Sequence, residues 1–135
     1  MKTHNNFVIN LQNAIKNGTP LRFATREFRG ITWIADVVKN IPHTFDLPGG
    51  VYNFGAENQL NTYETAVEFA HIIGCKAEEL IIADEERFPE HIRNISISMK
   101  KAYEASEGKI IFKDTLEGLK EFARITCYFP SGRPS

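Results

Sequence analysis

The chain has 135 residues, 42% hydrophobic and 24% charged, which is one domain by size and enough to bury a core without metal or disulfide staples. Lys plus Arg is 16 and Asp plus Glu is 17, a formal net charge of −1, which argues against a protein held on nucleic acid by counterion release or on an anionic membrane surface. No apolar run approaches the roughly 20 residues that cross a bilayer, and Met1–Phe7 has no apolar signal-peptide stretch, so a cytoplasmic location is expected, with neither nucleic acid nor membrane as partner.

In chain order, Phe7, Val8, Leu11, Ala14 and Ile15 recur at helical spacing, and Gly18 sits where a left-handed residue closes a helix. Pro20 prevents continuation. Leu21–Thr25 alternates as a short strand, and Arg26–Gly30 reads as a polar loop with two arginines. Thr32 is a candidate N-cap for a helix from Trp33 to Lys39, which Pro42 ends. Asp46-Leu47-Pro48-Gly49-Gly50 is a turn cluster. Val51–Gly55 reads as a strand between glycines.

Asn61-Thr62-Tyr63-Glu64 has capping-box spacing. The helix it opens turns Ala66, Val67, Phe69, Ala70 and Ile73 inward and stops at Gly74. Glu79–Ala83 is a further strand, expected to run parallel to Leu21–Thr25 because helices separate the two. Ser98 opens a short helix through Ala105, and Lys109–Phe112 is extended. Asp114-Thr115-Leu116-Glu117 is a second capping box, and its helix lays Leu116, Leu119, Phe122, Ala123 and Thr126 along one face.

Helices alternating with strands define an α/β chain, a small mixed domain of about five helices and three to four short strands. One domain is expected over residues 1–128, with a disordered tail at 129–135. Cys75 and Cys127 stand in apolar surroundings and read as buried small hydrophobes. The four histidines, at 4, 43, 71 and 91, have no metal-ligand spacing, so no metal site is expected. The acidic run Asp84-Glu85-Glu86 reads as solvated surface, and no nucleophile–base order is present.

Three stretches carry a resemblance when taken in order. The first is Thr19-Pro20-Leu21 followed by Arg29-Gly30-Ile31-Thr32-Trp33-Ile34-Ala35-Asp36-Val37-Val38. The second is Gly50-Val51-Tyr52-Asn53-Phe54-Gly55 followed by Thr62-Tyr63-Glu64. The third is Ser98-Met99-Lys100-Lys101-Ala102 followed by Asp114-Thr115-Leu116-Glu117-Gly118-Leu119. Over residues 7–126 they resemble the C-terminal, substrate-binding half of extended short-chain dehydrogenases. That family comprises nucleotide-sugar epimerases, dehydratases and reductases, and the chain is most similar to its dTDP-4-dehydrorhamnose reductase branch. The Gly-rich dinucleotide turn of that family is absent from these residues, and none of the tyrosines has a Lys four residues on, so the Y-x-x-x-K pair is absent as well. Gly49-Gly50 precedes a strand where the dinucleotide turn would follow one.

The resemblance implies a substrate-binding lobe without its dinucleotide-binding half. Arg29, with Asp36, occupies the R-x-[FY]-x-x-V-x-D pattern, whose Arg contacts the nucleotide diphosphate in many members; a guanidinium fork matches phosphate oxygens bidentately. Thr32 is what remains of the branch's G-x-P-T. Arg87 and Arg93 are candidate second phosphate contacts, although His91-Ile92 stands where the family has Arg-Pro. Glu57, Asn58 and Gln59 follow the Val51–Gly55 strand, on the side where open α/β sheets bind ligands, and Asn58 is taken as a substrate contact. Asp36 reads as structural, favouring the start of its helix. Trp33 is either a core anchor or a stacking surface for a base.

The expected substrate contacts are therefore Arg29, Thr32, Asn58, Arg87 and Arg93, with no catalytic residue, no metal and no cofactor bound by this chain alone; NAD(P)H is bound by the other half in that family. The expected function is binding of a dTDP- or UDP-sugar in a truncated or split, singly inactive form. A non-catalytic interaction or oligomerisation module with the same fold is the alternative. The expected protein partner is a second copy, docked through Val51–Phe54 and the Trp33–Ile41 helix, or a separately encoded dinucleotide-binding half.

Overall fold

A computed structural model describes residues 7–74 and 79–126. Within them lie five α-helices and four short strands, a small mixed α/β domain. Cys75, Cys127 and the 129–135 tail lie outside the described residues, as does the side chain of Thr126.

Helix α1 (Phe7–Asn17) buries Leu11 and Ala14. Gly18 at φ +69° turns the chain back so that the Thr19 amide donates to the Ala14 carbonyl at 2.9 Å, the six-to-one bond of a Schellman end. Strand β1 (Leu21–Ala24) follows. It pairs in parallel with β3 (Ile81–Asp84), in the register Leu21↔Ile81 through Ala24↔Asp84, as the sequence predicts. Beyond β1 the chain pairs again: β2 (Glu27–Phe28) runs parallel to β4 (Arg93–Asn94). β2 falls where the sequence reads as a polar loop and β4 where it reads as no element, since two residues carry no alternation to detect.

Helix α2 (Ile34–Asn40) begins at Trp33, which supplies no side-chain cap. Thr32, expected to be that cap, has its hydroxyl turned to the Ala56 amide, 3.0 Å away. A 3-10 helix (Ile41–Thr44) continues α2. Helix α3 (Thr62–Ile72) starts with the expected capping box: Asn61 accepts from the Glu64 amide at 2.7 Å and Glu64 accepts from the Asn61 amide at 3.0 Å. Helix α4 (Lys100–Ala105) starts at Met99 rather than Ser98. Helix α5 (Thr115–Thr126) has the second box, with Asp114 accepting from the Glu117 amide at 2.9 Å.

Two apolar clusters divide the interior. The larger joins Leu11, Ala66, Phe69, Ala70, Ile73, Ile81, Leu119 and Ala123, with α3 packed between the β1–β3 pair and α5 and with α1 contributing Leu11. The smaller gathers Met99, Ala102 and Ile110, with Leu47, Tyr52, Phe54, Ile97 and Phe112 around them. Val51–Gly55, expected to be a strand, sends Tyr52 and Phe54 into this second cluster, leaves Val51 85% exposed, and pairs with no strand among the described residues. Side chains hold it instead: the Lys101 ammonium donates to the Val51 carbonyl at 2.6 Å, the Tyr52 hydroxyl to the Pro48 carbonyl at 2.7 Å and the Asn53 amide to the Ser98 carbonyl at 3.1 Å. A ladder needs a neighbouring strand, and α4 lies there in its place. Among the described residues no helix is long and apolar enough to cross a membrane.

Candidate anion-binding site

Because β1 and β3 are parallel and in register, the chain leaves both at the same end. Arg26 and Arg29 follow β1, and Arg87 follows β3. The β2–β4 pairing then closes these loops against each other. Asp84, the last residue of β3, shapes its loop by accepting from the Glu86 and Arg87 amides, each at 3.2 Å. The result is a cavity of about 320 Å³ lined by Arg29 and Arg87, with Arg22, Glu27, Asn10 and Thr62 completing its polar wall and Phe7 and Phe23 its apolar one. Phe7 and Phe23 meet each other with ring centroids 5.4 Å apart.

The placement of Arg29 is built into the core. The Asn58 amide donates to the Arg29 carbonyl at 2.9 Å and to the Thr65 hydroxyl at 3.0 Å, while its oxygen accepts from the Leu60 amide at 3.0 Å. Next to it, Gly30 lies so close to the 55–58 segment that a Cβ would stand 2.2 Å from the Ala56 carbonyl oxygen. Only glycine fits there. The Ile31 amide then donates to Thr115 Oγ1 at 3.0 Å, and Thr115 donates to the Glu57 carbonyl at 3.0 Å. Arg29 therefore projects from a backbone fixed on both sides, its own side chain exposed and in no ion pair among the described residues.

The other expected contacts divide. Arg87 lines the same cavity as Arg29. Arg93 is engaged with the buried Glu27 carboxylate at 3.5 Å. Thr32 and Asn58 spend their polar groups on the fold, Thr32 on Ala56 and Asn58 on Arg29, so that Asn58 positions the arginine. Asp36 is structural, as expected: its carboxylate accepts from the Lys113 amide at 2.8 Å and pairs with the Lys113 ammonium at 3.4 Å. Trp33 packs edge-on to Phe122 at 6.5 Å, which favours the anchor over the stacking surface.

Three residues escape the sequence reading. Glu27 is buried and accepts from the Thr62 hydroxyl, 3.1 Å from its Oε1. Arg26 donates through Nε to the Phe88 carbonyl at 3.0 Å. Phe88 has φ +62°, the left-handed region that non-glycine residues seldom adopt. Its ring lies beneath two guanidinium carbons, Arg87 at 5.4 Å and Arg93 at 5.5 Å, within cation–π range. The concentration of arginine in Arg26-Glu27-Phe28-Arg29 and Arg87–Arg93 was the available signal. What was hidden is that parallel pairing brings these segments to one place. Among the described residues no group of three or more His, Cys, Asp or Glu side chains stands ready to hold a metal ion.

Chemically, the guanidinium forks of Arg29 and Arg87, beside an Arg22 that pairs with Asp84 at 3.6 Å, suit a di-anionic group such as a diphosphate. Asn10, exposed alongside them, suits a hydroxyl. Compared with known proteins, the chain matches no family model, no curated protein and no solved structure.

Proposed function

We propose that the chain is a nucleotide-sugar-binding lobe, like the substrate half of an extended short-chain dehydrogenase of the dTDP-4-dehydrorhamnose reductase branch, and that it takes a dTDP- or UDP-sugar by its diphosphate. The observation that carries this reading is the single cavity shared by Arg29 and Arg87, which runs along β1 to the loops beyond the parallel strand pair. The diphosphate sits between the two guanidiniums. Asn10, exposed on the same wall, accepts from or donates to sugar hydroxyls, while the buried Glu27 and Thr62 are held by Arg93 and by each other. Hydride transfer on the bound sugar belongs to a dinucleotide-binding half carried elsewhere, and this lobe by itself binds without reacting.

Calorimetric titration with dTDP, UDP and a dTDP-sugar tests the reading. Saturable binding is expected, lost at least tenfold in Arg29→Ala and in Arg87→Ala, since each removes a charge-assisted bidentate contact. In Asn58→Ala the loss is smaller, because Arg29 stays but its carbonyl anchor goes. Titration with NADPH is expected to give no saturable signal, because the close backbone approach that a Gly-rich turn allows is absent from this sequence. No heat and no thermal shift with any nucleotide, in a folded protein, favours the interaction-module reading instead; the Glu27 carboxylate beside the two arginines is the feature that speaks for it.

A further inference from the structure

The arginines of the cavity wall are held in different ways. Arg22 pairs with Asp84 at 3.6 Å. Arg87 has no ion pair among the described residues. Its guanidinium carbon lies 5.4 Å from the centroid of the neighbouring Phe88 ring instead. The two kinds of partner differ in what they leave behind. A carboxylate offsets the charge and engages the N–H donors, whereas a ring attracts the cation through its quadrupole and leaves the net charge intact. Phe88 is not itself part of the cavity wall, so any effect it has on a ligand passes through Arg87.

The backbone that presents this ring is strained. Phe88 has φ +62°, a region that glycine enters freely and phenylalanine does not. Contacts on both sides enforce it. Arg26 Nε donates to the Phe88 carbonyl at 3.0 Å, and Asp84 accepts from the Glu86 and Arg87 amides just before it. The Arg93 amide donates to the Arg26 carbonyl at 2.8 Å, which ties the far end of the loop to the residue that holds Phe88. The guanidinium carbon of Arg93 lies 5.5 Å from the same ring, but its charge is already countered by Glu27 at 3.5 Å. Arg87 is thus the cation at this ring with no carboxylate partner among the described residues. Strained non-glycine residues that their surroundings over-determine collect at ligand clamps.

We propose that Phe88 is a positioning residue of the anion site: its ring holds Arg87 at the cavity before a ligand arrives, without neutralising it. The inference rests on the diphosphate reading of that cavity and deepens it. An exposed arginine has rotamer freedom that binding must remove. At Arg87 the ring removes part of it in the free protein, so a diphosphate meets a side chain already at the wall it shares with Arg29. Affinity gained in this way comes from preorganisation. The two arginines then reach one cavity by different means. Arg29 is placed through its main chain, by the Asn58 bond to its carbonyl, and Arg87 through its side chain, by the ring.

Calorimetric titration of the full chain with dTDP and UDP, paired with thermal melts, tests the proposal. Phe88→Leu keeps an apolar side chain and removes the aromatic face. Its affinity is expected to fall about two- to fivefold, the range of an exposed cation–π contact. Phe88→Tyr keeps the ring and is expected to bind as wild type, and the two variants are expected to melt together. In an Arg87→Ala background, Phe88→Leu is expected to lower affinity no further, because the ring acts through that guanidinium. Phe88→Leu binding like wild type, or losing as much in the Arg87→Ala background as alone, overturns the inference and leaves the diphosphate reading standing. So does a Phe88→Tyr as weak as Phe88→Leu, or a Phe88→Leu that melts well below Phe88→Tyr, which marks the ring as structural. A folded wild type that binds neither dTDP nor UDP overturns both.

Discussion

The two apolar clusters are built by opposite means. In the larger one, α1, α3 and α5 and the β1–β3 pair join aliphatic and aromatic side chains in one cluster, and the contacts are between side chains. In the smaller one, the elements are short or irregular, and polar side chains hold backbone. Asn40 holds residue 111, Asp36 holds residue 113, Ser106 accepts from the Ile110 amide at 2.9 Å, and Glu57 accepts from the Met99 amide at 2.7 Å. The first region is stabilised by shape and burial. The second is stabilised by satisfied polar groups, where loss of one partner strands another. The arginine-lined cavity borders β1 of the first region, and helix α2, with its buried Asp36 and Asn40, belongs to the second.

The sharpest way to break the first region is to remove volume. Phe69 is fully buried among α3, α5 and the sheet and meets Phe122 at 6.2 Å between centroids. Phe69→Ala is expected to destabilise by about 3–5 kcal/mol, the usual cost for a buried phenyl ring. Urea denaturation measures it. A loss under 1 kcal/mol, on the order of a surface substitution, means the cluster is not the stabilising core.

The same comparison explains what was legible in the sequence. The first region could be read because Leu11, Ala66, Phe69, Ala70, Leu119 and Ala123 repeat at the helical period, Asn61–Glu64 and Asp114–Glu117 announce their helices, and β1 and β3 are apolar runs between turns. Much of the second region could not. Asn40 and Asp36 are polar residues in a helix, and periodicity assigns such residues to solvent; only their partners at 111 and 113, more than seventy positions away, reveal that they face inward. Val51–Phe54 has the composition of a strand, but strand formation depends on a neighbour that the pattern does not contain. The candidate site was half legible. Arg29 and Arg87 stand out as residues, but the cavity they share follows from the β1–β3 register.

The second region is broken through polarity rather than volume. Asn40→Ala removes three hydrogen bonds and leaves the Ile111 amide and carbonyl without their partner. The expected loss is about 2–3 kcal/mol, of the order of a buried group left unsatisfied. By contrast Ile110→Val, which removes one methyl from the small cluster, is expected to cost only about 1 kcal/mol. If Ile110→Val costs more than Asn40→Ala in the same denaturation series, side-chain packing governs both regions and the contrast between them fails.

Gly30 tests the seam where the two regions meet the arginine. A Cβ there would overlap the Ala56 carbonyl, 2.2 Å away, and that atom is backbone, which yields only if the 55–58 segment shifts. Gly30→Ala is expected to cost about 1–3 kcal/mol by overpacking and to weaken nucleotide binding by displacing Asn58 from the Arg29 carbonyl. Gly118→Ala is milder, because the nearest atom, the Trp33 Cβ, stands 3.3 Å away, against 2.2 Å for the Ala56 carbonyl oxygen at Gly30. A thermal melt of both variants should rank Gly30→Ala the less stable.

The smallest expected effect comes from the exposed side of the first region. Glu121, on α5, is bound by Arg124 one turn on, through Nε at 3.2 Å and through the second guanidinium nitrogen. The hydrogen bond from Arg124 is the main cause holding the Glu121 carboxyl below its ordinary 4.5, against an opposing effect of desolvation; the positive charges of Arg124 and of Lys113 add to the lowering. A carboxyl whose folded pKa is depressed stabilises the fold in full above its ordinary pKa and loses that contribution as pH falls through the lowered folded value. Glu121→Gln should therefore melt slightly below wild type at pH 7, and the difference should close on acidification through and below the ordinary value. The pair is solvent-exposed and one turn long, the class of ion pair that contributes least, so the gap is expected to be far smaller than that of Asn40→Ala. A Glu121→Gln gap that widens as pH falls would reverse the sign of this coupling and show that Arg124 draws its place in α5 from some other contact.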